Sequence, residues 1–130
     1  MFLSKELIHR AVTNGDIGIT NFKEENLKSA SYTMTLDSID GETNFELQPG
    51  QFILLKTKEK LSLNGTYCGL FITPSHLAQQ GIHVTQGSNF AEPDTDNIIT
   101  LEVSNNGNEP VMLTEDMKIL KVAFTKLEQG

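Results

Sequence analysis

The sequence predicts a mainly β domain, either a closed barrel or a sandwich of the jelly-roll kind, with an N-terminal helix and one short internal helix. Three observations carry this. Helical periodicity is confined to the first 14 residues and to a few residues after Thr73. Elsewhere short apolar runs alternate with turn residues. Asn64-Gly65, Pro93-Asp94 and Asn106-Gly107 punctuate those runs at the spacing of a many-stranded β fold.

The first helix is expected over Ser4 to Asn14. Ser4 can accept from first-turn amides, and Leu3 and Ile8 suit a hydrophobic staple. Leu7, Ile8, Ala11 and Val12 form one apolar stripe, and Gly15 supplies the stop. Tyr32, Met34 and Leu36 alternate with Thr33 and Thr35, which predicts a half-buried strand. Phe45–Leu47 precedes a Pro49-Gly50 turn, and Phe52–Leu55 reads as a short buried run. Tyr67–Ile72, Ile82–Thr85, Ile98–Val103, Val111–Leu113 and Ile119–Phe124 complete the strands, and Asp37–Asn44 is the loosest stretch. In the short helix Thr73 can cap, Pro74 fits the first helical position and Gly81 ends it. Its N-terminus offers free amides to a phosphate, although most such ends are plain connectors.

The chain is read as one domain, residues 1–130, long enough to bury a core without staples. A formal net charge of −7 argues against nucleic acid and anionic membranes as partners. Cys68 is the one cysteine, which excludes an internal disulfide and a cysteine-based zinc site and fits a reducing compartment. No long apolar run follows Met1, so neither a signal peptide nor a membrane span is expected, and the location expected is cytoplasmic.

Several segments resemble the dCTP deaminase and dUTPase family. Phe2 to Ile8, running on to Gly15-Asp16-Ile17, looks like the family's N-terminal helix and its exit. Leu47-Gln48-Pro49-Gly50-Gln51-Phe52 looks like its Leu-His-Pro-Gly-Glu-Phe element. Pro74 to Gln79 corresponds to its Arg-Ser-Ser-Leu-Ala-Arg segment, and Ala91 to Asp94 to its Ile-Asp-Pro-Gly. Leu101-Glu102 followed by Asn105-Asn106-Gly107 corresponds to its Leu-Glu strand and Asn-x-Gly turn, and Asp116 to Phe124 to its closing strand. Their order and spacing are together specific for the fold.

The resemblance implies a distorted jelly-roll or β-barrel of the dUTPase type, acting on a pyrimidine deoxynucleoside triphosphate by deaminating dCTP, hydrolysing dUTP, or both. It implies a homotrimer with sites between subunits and no tightly bound cofactor or protein-held metal, Mg2+ entering with the nucleotide. Glu102 and Ser75 take the catalytic positions, Glu102 activating the water that attacks the amino-bearing carbon of cytosine without zinc. A carboxylate in a buried strand is expected to have a raised pKa unless paired, which suits a proton shuttle. Ser88 falls in the loop that faces the base, and Glu92 replaces the family aspartate. His76, Gln79 and Lys121 are the candidates to reach the nucleotide's phosphates.

Plainer readings stand beside these. Glu102 can be an interior glutamate bonded to backbone or water, Ser75 a second capping residue and Ser88 a turn serine beside Gly87. Lys118 and Lys121 can be solvated strand residues. His83 reads as a bonded structural histidine and His9 as an exposed helix residue.

The departures are specific. Pro74 and Gln79 replace the two arginines of the helix segment, and glutamine cannot supply arginine's charged fork. Each lost charged hydrogen bond costs about 1.5–3 kcal/mol. Two such losses weaken triphosphate binding by roughly two to four decades. Asp94 stands in place of a glycine, and Thr33 and Thr35 in place of an Asp and an Arg. With the sequence ending at Gly130, the lid that closes over nucleotide in relatives is expected to be absent. Two other functions fit these losses: a degenerate member that binds a nucleotide as a sensor, and a structural or interaction trimer of phage or mobile-element origin.

Overall fold

A computed structural model describes residues 1–129; the chain end at Gly130, on which the lid expectation rests, lies outside them. Helix α1 spans Lys5–Asn14 and α2 spans Ser75–Ala78. Ten strands follow in chain order: β1 Ile17–Ile19, β2 Tyr32–Thr35, β3 Asn44–Leu47, β4 Phe52–Leu63, β5 Tyr67–Ile72, β6 Ile82–His83, β7 Phe90–Ala91, β8 Asp96–Asn105, β9 Val111–Thr114 and β10 Lys118–Lys126. They form two four-stranded sheets, β1-β4-β8-β6 and β2-β10-β5-β7, with a separate β3-β9 pair. The sheets do not close on one another, so of the two expected architectures the jelly-roll-like sandwich is the one adopted. Every strand pairing is antiparallel. The core runs between the sheets, with Tyr32, Leu36, Leu61, Leu101, Leu113 and Phe124 fully buried.

The first helix forms as its sequence requires. Ser4 Oγ accepts from Leu7 N, and Gly15 turns left-handed at φ 83° to close the C-terminus. Ile8 and Ala11 are buried, but Leu7, expected in the buried stripe, is 43% exposed. It lies beside Tyr67 and Lys126 at the stripe's edge.

Four other expectations change. Strand β2 is not half-buried, because Thr33 is covered as well as Tyr32 and Met34. Phe52–Leu55 is no isolated buried run but the start of the twelve-residue β4, in which Phe52 and Leu54 point outward at 53% and 60% exposure. Helix α2 is a single turn. Pro74 occupies its cap position at ψ 140°, and Thr73 Oγ1 accepts from Val84 N instead of capping. Asp37–Asn44 is ordered: Ile39 and Glu42 exchange backbone hydrogen bonds of 3.0 and 2.8 Å across Asp40-Gly41, both with positive φ. Asp-Gly with two positive φ values is the signature of a tight hairpin turn.

One contact positions the internal helix against β8. Gly81, at φ +86°, and Gly107 meet backbone to backbone. A Cβ on Gly107 would stand 2.5 Å from Gln80 O, and one on Gly81 2.5 Å from Gly107 N. Asn106 N donates to Gly81 O at 2.8 Å across the same contact. Asn105, fully buried at the end of β8, donates to Leu47 O and Glu109 O and accepts from Gly107 N. These bonds tie together the end of β8, the turn after it, and the loop leaving α2.

Candidate active site

The strand that carries Glu102 alternates cleanly. Leu101, Val103 and Asn105 face the core, and Ile98, Thr100 and Glu102 face outward. Its register is held by β4, with Leu54 opposite Glu102 and Phe52 opposite Ser104. A bulge between Lys56 and Lys60 interrupts that pairing. Thr57 stabilises it, donating to Glu59 O at 2.9 Å and accepting from Ile99 N at 3.1 Å.

The segment from Thr85 to Thr95, a loop interrupted by the two-residue β7, forms the opposite wall. Asn89 Nδ2 donates to Phe71 O and to Thr85 Oγ1, both at 2.9 Å, and Asn89 O accepts from Phe71 N at 2.7 Å. Ser88 N donates to Thr85 O, which fixes the turn that presents Ser88. Thr95 Oγ1 donates to Glu92 O at 2.6 Å and stiffens the approach to β8.

Between these walls lies a cleft of about 370 Å³. It brings together Ser88, Glu92 and Glu102 of the expected site residues. Glu102 is half-buried, not enclosed, and its carboxylate makes no side-chain hydrogen bond or ion pair among the described residues. Phe71, Phe90, Asn97 and Thr100 also line the cleft and were not anticipated. The period-two pattern of β8, which places Ile98 and Thr100 on the face of Glu102, was the signal available for two of its wall residues. Glu92 stands close enough to the buried Cys68 that its charge adds to burial in pushing the thiol's pKa up.

The other expected residues lie elsewhere in the chain. Ser75, His76 and Gln79 are exposed on and just after α2. Gln79 lines a separate cleft of about 630 Å³ with Gly81, Gly107 and Glu109. Lys121 is half-buried in β10, in register with Ile72 and Thr33. Arg10 lines an open cleft of about 660 Å³ against α1 that contains none of the expected site residues. Of the histidines, His9 pairs with Glu24 at 2.8 Å on the surface, and His83 sits in β6 opposite Ser104. Among the described residues no three His, Cys, Asp or Glu side chains converge to hold a metal, and no helix is long and apolar enough to cross a membrane.

This arrangement of sheets and cleft is that of the dUTPase-type fold. A 2'-deoxycytidine 5'-triphosphate deaminase from Agrobacterium tumefaciens superposes with a TM-score of 0.79 at 12% identity, over 98% of this chain and 48% of that one. The chain thus spans about half the length of that enzyme. EIAV dUTPase superposes with a TM-score of 0.69 at 15% identity, over 88% of this chain and 89% of that one. In sequence, a dUMP-forming dCTP deaminase of Corynebacterium glutamicum is 28% identical over 154 residues, covering 98% of this chain and 82% of its own length. The family model for dCTP deaminase-like proteins matches residues 36–127. The chain belongs to the dCTP deaminase-like family.

Proposed function

We propose that this chain acts in pyrimidine deoxynucleotide metabolism, with a cytosine or uracil ring bound in the cleft between β8 and the 85–95 loop. Glu102 is the general base. Its carboxylate takes a proton from water while the water oxygen bonds to the amino-bearing ring carbon. Attack is balanced by protonation of ring nitrogen N3. The adduct's hydroxyl proton is then passed through Glu102 to the amino group, the carbon–nitrogen bond breaks, and ammonia leaves as the carbonyl forms. One water proton thus ends on N3 and the other on ammonia. The observation that carries this reading is the unpartnered Glu102 carboxylate facing a cleft shared with Ser88 and Glu92.

The assembly belongs to the same proposal. Leu54 and Phe52 stand on the face of Glu102, and Ile98 and Phe90 border the cleft, all between 46% and 60% exposed. Such a patch is what a subunit interface covers. A homotrimer would place Ser75, His76, Gln79 or Lys121 of one subunit near the Glu102 cleft of another, with Mg2+ entering on the nucleotide. Light scattering tests this, and a monomeric mass would refute it.

Incubating concentrated protein with dCTP and dUTP plus Mg2+, and resolving the products by chromatography, tests the chemistry. Formation of dUTP or dUMP is expected, and Glu102→Gln should abolish deamination while leaving the circular dichroism spectrum unchanged. Turnover persisting in that variant would remove Glu102 from the mechanism. A ligand-binding member without turnover is the second reading. It is favoured by the absence of any arginine on α2, where Pro74 is buried and Gln79 is neutral. Thermal stabilisation by nucleotide without product would select it.

A further inference from the structure

The sheet that carries Glu102, β1-β4-β8-β6, contains three lysines and no arginine, and all three lysines lie on β4. Two of them are engaged. Lys58 bridges Glu115 and Asp116 at 2.7 and 2.6 Å, and Lys60 pairs with Asp96 at 3.2 Å. Lys56 is exposed, and its ammonium makes no ion pair or hydrogen bond among the described residues.

The pairing of β4 with β8 places Lys56 beside the cleft. It stands directly opposite Thr100, which lines the cleft, and Leu54, two residues earlier, stands opposite Glu102. Side chains alternate along a strand, so Lys56, Leu54, Thr100 and Glu102 share the outward face. Opposed residues of an antiparallel pair are about 4.5–5.5 Å apart at Cβ and diagonal ones about 7–8 Å, a gap that long side chains cross. The Lys56 side chain is therefore long enough to reach over Thr100 and alongside Glu102. Its backbone is held. Lys56 O accepts from Asp37 N at 2.9 Å, and the next residue, Thr57, donates to Glu59 O and accepts from Ile99 N. The Asp37 carboxylate accepts from Ser38 N and makes no pair with Lys56.

We propose that Lys56 is a phosphate-binding residue of the Glu102 cleft, supplied by the same subunit as Glu102. The inference rests on the reading of the cleft as a pyrimidine nucleotide site given above. Glu92 and Glu102 are the only ionisable side chains that line the cleft among the described residues, and both are acids. Phosphates bring further negative charge, so a nucleotide there needs a cation. An ammonium offers three donors and a full charge, and its hydrogen bonds to phosphate oxygens are charge-assisted. His76 or Lys121 of a second subunit would add to this contact and not replace it.

Isothermal titration calorimetry of the full chain and its variants with dCTP and with deoxycytidine, in Mg2+, tests this. Lys56→Gln is expected to weaken dCTP binding about tenfold or more, as loss of a charged hydrogen bond does, and to leave deoxycytidine binding unchanged. Lys56→Arg keeps the charge and should retain most of the dCTP affinity. The salt dependence of dCTP binding should be shallower in Lys56→Gln than in the parent. Unchanged dCTP affinity in Lys56→Gln would overturn the inference while leaving the pyrimidine site standing. Equal losses for both ligands, or a changed mass in light scattering, would assign Lys56 to packing or to a subunit contact and overturn it as well. Binding of neither ligand by the parent chain would overturn the pyrimidine site and this inference together.

Discussion

Asn105 is the side chain on which the geometry around β8 most depends, and Asn105→Ala tests that dependence. The residue is fully buried and makes three hydrogen bonds, of 3.0, 2.9 and 2.9 Å, to Leu47 O, Glu109 O and Gly107 N. Each bond contributes about 0.5–1.5 kcal/mol net, and a buried carbonyl left without a donor adds about 1–3 kcal/mol. Leu47 is itself fully buried, so water does not readily replace the lost donor there. The expected loss is about 3 kcal/mol, a large part of the roughly 5–15 kcal/mol available to a domain. For a chain of this size that lowers Tm by about 10 °C. Urea and thermal unfolding followed by circular dichroism, at one fixed protein concentration, would measure it. Asn105→Asp is the control. It keeps an acceptor for Gly107 N–H but cannot donate to either carbonyl, and it buries a charge, so it should be at least as damaging as alanine. A loss under about 1 kcal/mol for Asn105→Ala, or a milder effect for Asn105→Asp, would refute the reasoning.

Other perturbations have equally definite outcomes. Gly107→Ala should cost about 2 kcal/mol or more, because its Cβ would lie 2.5 Å from Gln80 O. Since Gly81 and Gly107 touch, Gly81→Ala combined with Gly107→Ala should cost less than the two losses added, and strict additivity in urea unfolding would contradict a shared contact. Thr57→Val keeps the side-chain shape but leaves Ile99 N–H without its acceptor, so a loss of about 1–3 kcal/mol is expected, and a neutral result would mean the bulge is held otherwise. Asp96 has a lowered pKa in the folded chain, chiefly through Ser62 and then Lys60. Its stabilisation is therefore present above the unfolded carboxyl's pKa and is lost as pH falls through the folded value. Asp96→Asn should lower the urea midpoint near neutral pH, and the difference from the parent should fade in acid; a constant difference would show that the charge is not involved.

The fold was more legible in the sequence than the site was. Strand β5 falls on Tyr67–Ile72 as its apolar run predicts, and α1 falls between Ser4 and Gly15, because each depends on local chemistry. Strand β7 and strand β1, with two and three residues, carry too short a pattern to show a period. The length of β4 was hidden by Lys56-Thr57-Lys58-Glu59-Lys60, a polar stretch that looks like a loop. Its Thr57 and Glu59 are buried, and each finds a bonding partner: Thr57 at Ile99 N and Glu59 O, Glu59 at Thr35 N and Oγ1. Those partners come from up to 42 residues away, so no local window could reveal them.

The same reasoning explains which site residues the fold gathers. Ser88, Glu92 and Glu102 share a cleft because two constraints meet there. The pleat of β8 sends every second side chain outward. The side chain of Asn89 bonds to Phe71 O and Thr85 Oγ1, which folds the preceding loop over that face. Ser75 and Gln79 obey a different constraint, the Gly81–Gly107 contact, which anchors the exit of α2 at the far end of β8 beyond Asn105. Glu102 and Gln79 line different clefts, so we infer that the side chains of α2 and Glu102 act together through a second copy or not at all. Catalytic assays of obligate monomers would separate these cases: surface variants Leu54→Lys and Phe52→Lys, chosen to prevent association, should abolish turnover without unfolding the chain. Full activity in a proven monomer would show that Glu102 needs nothing from α2.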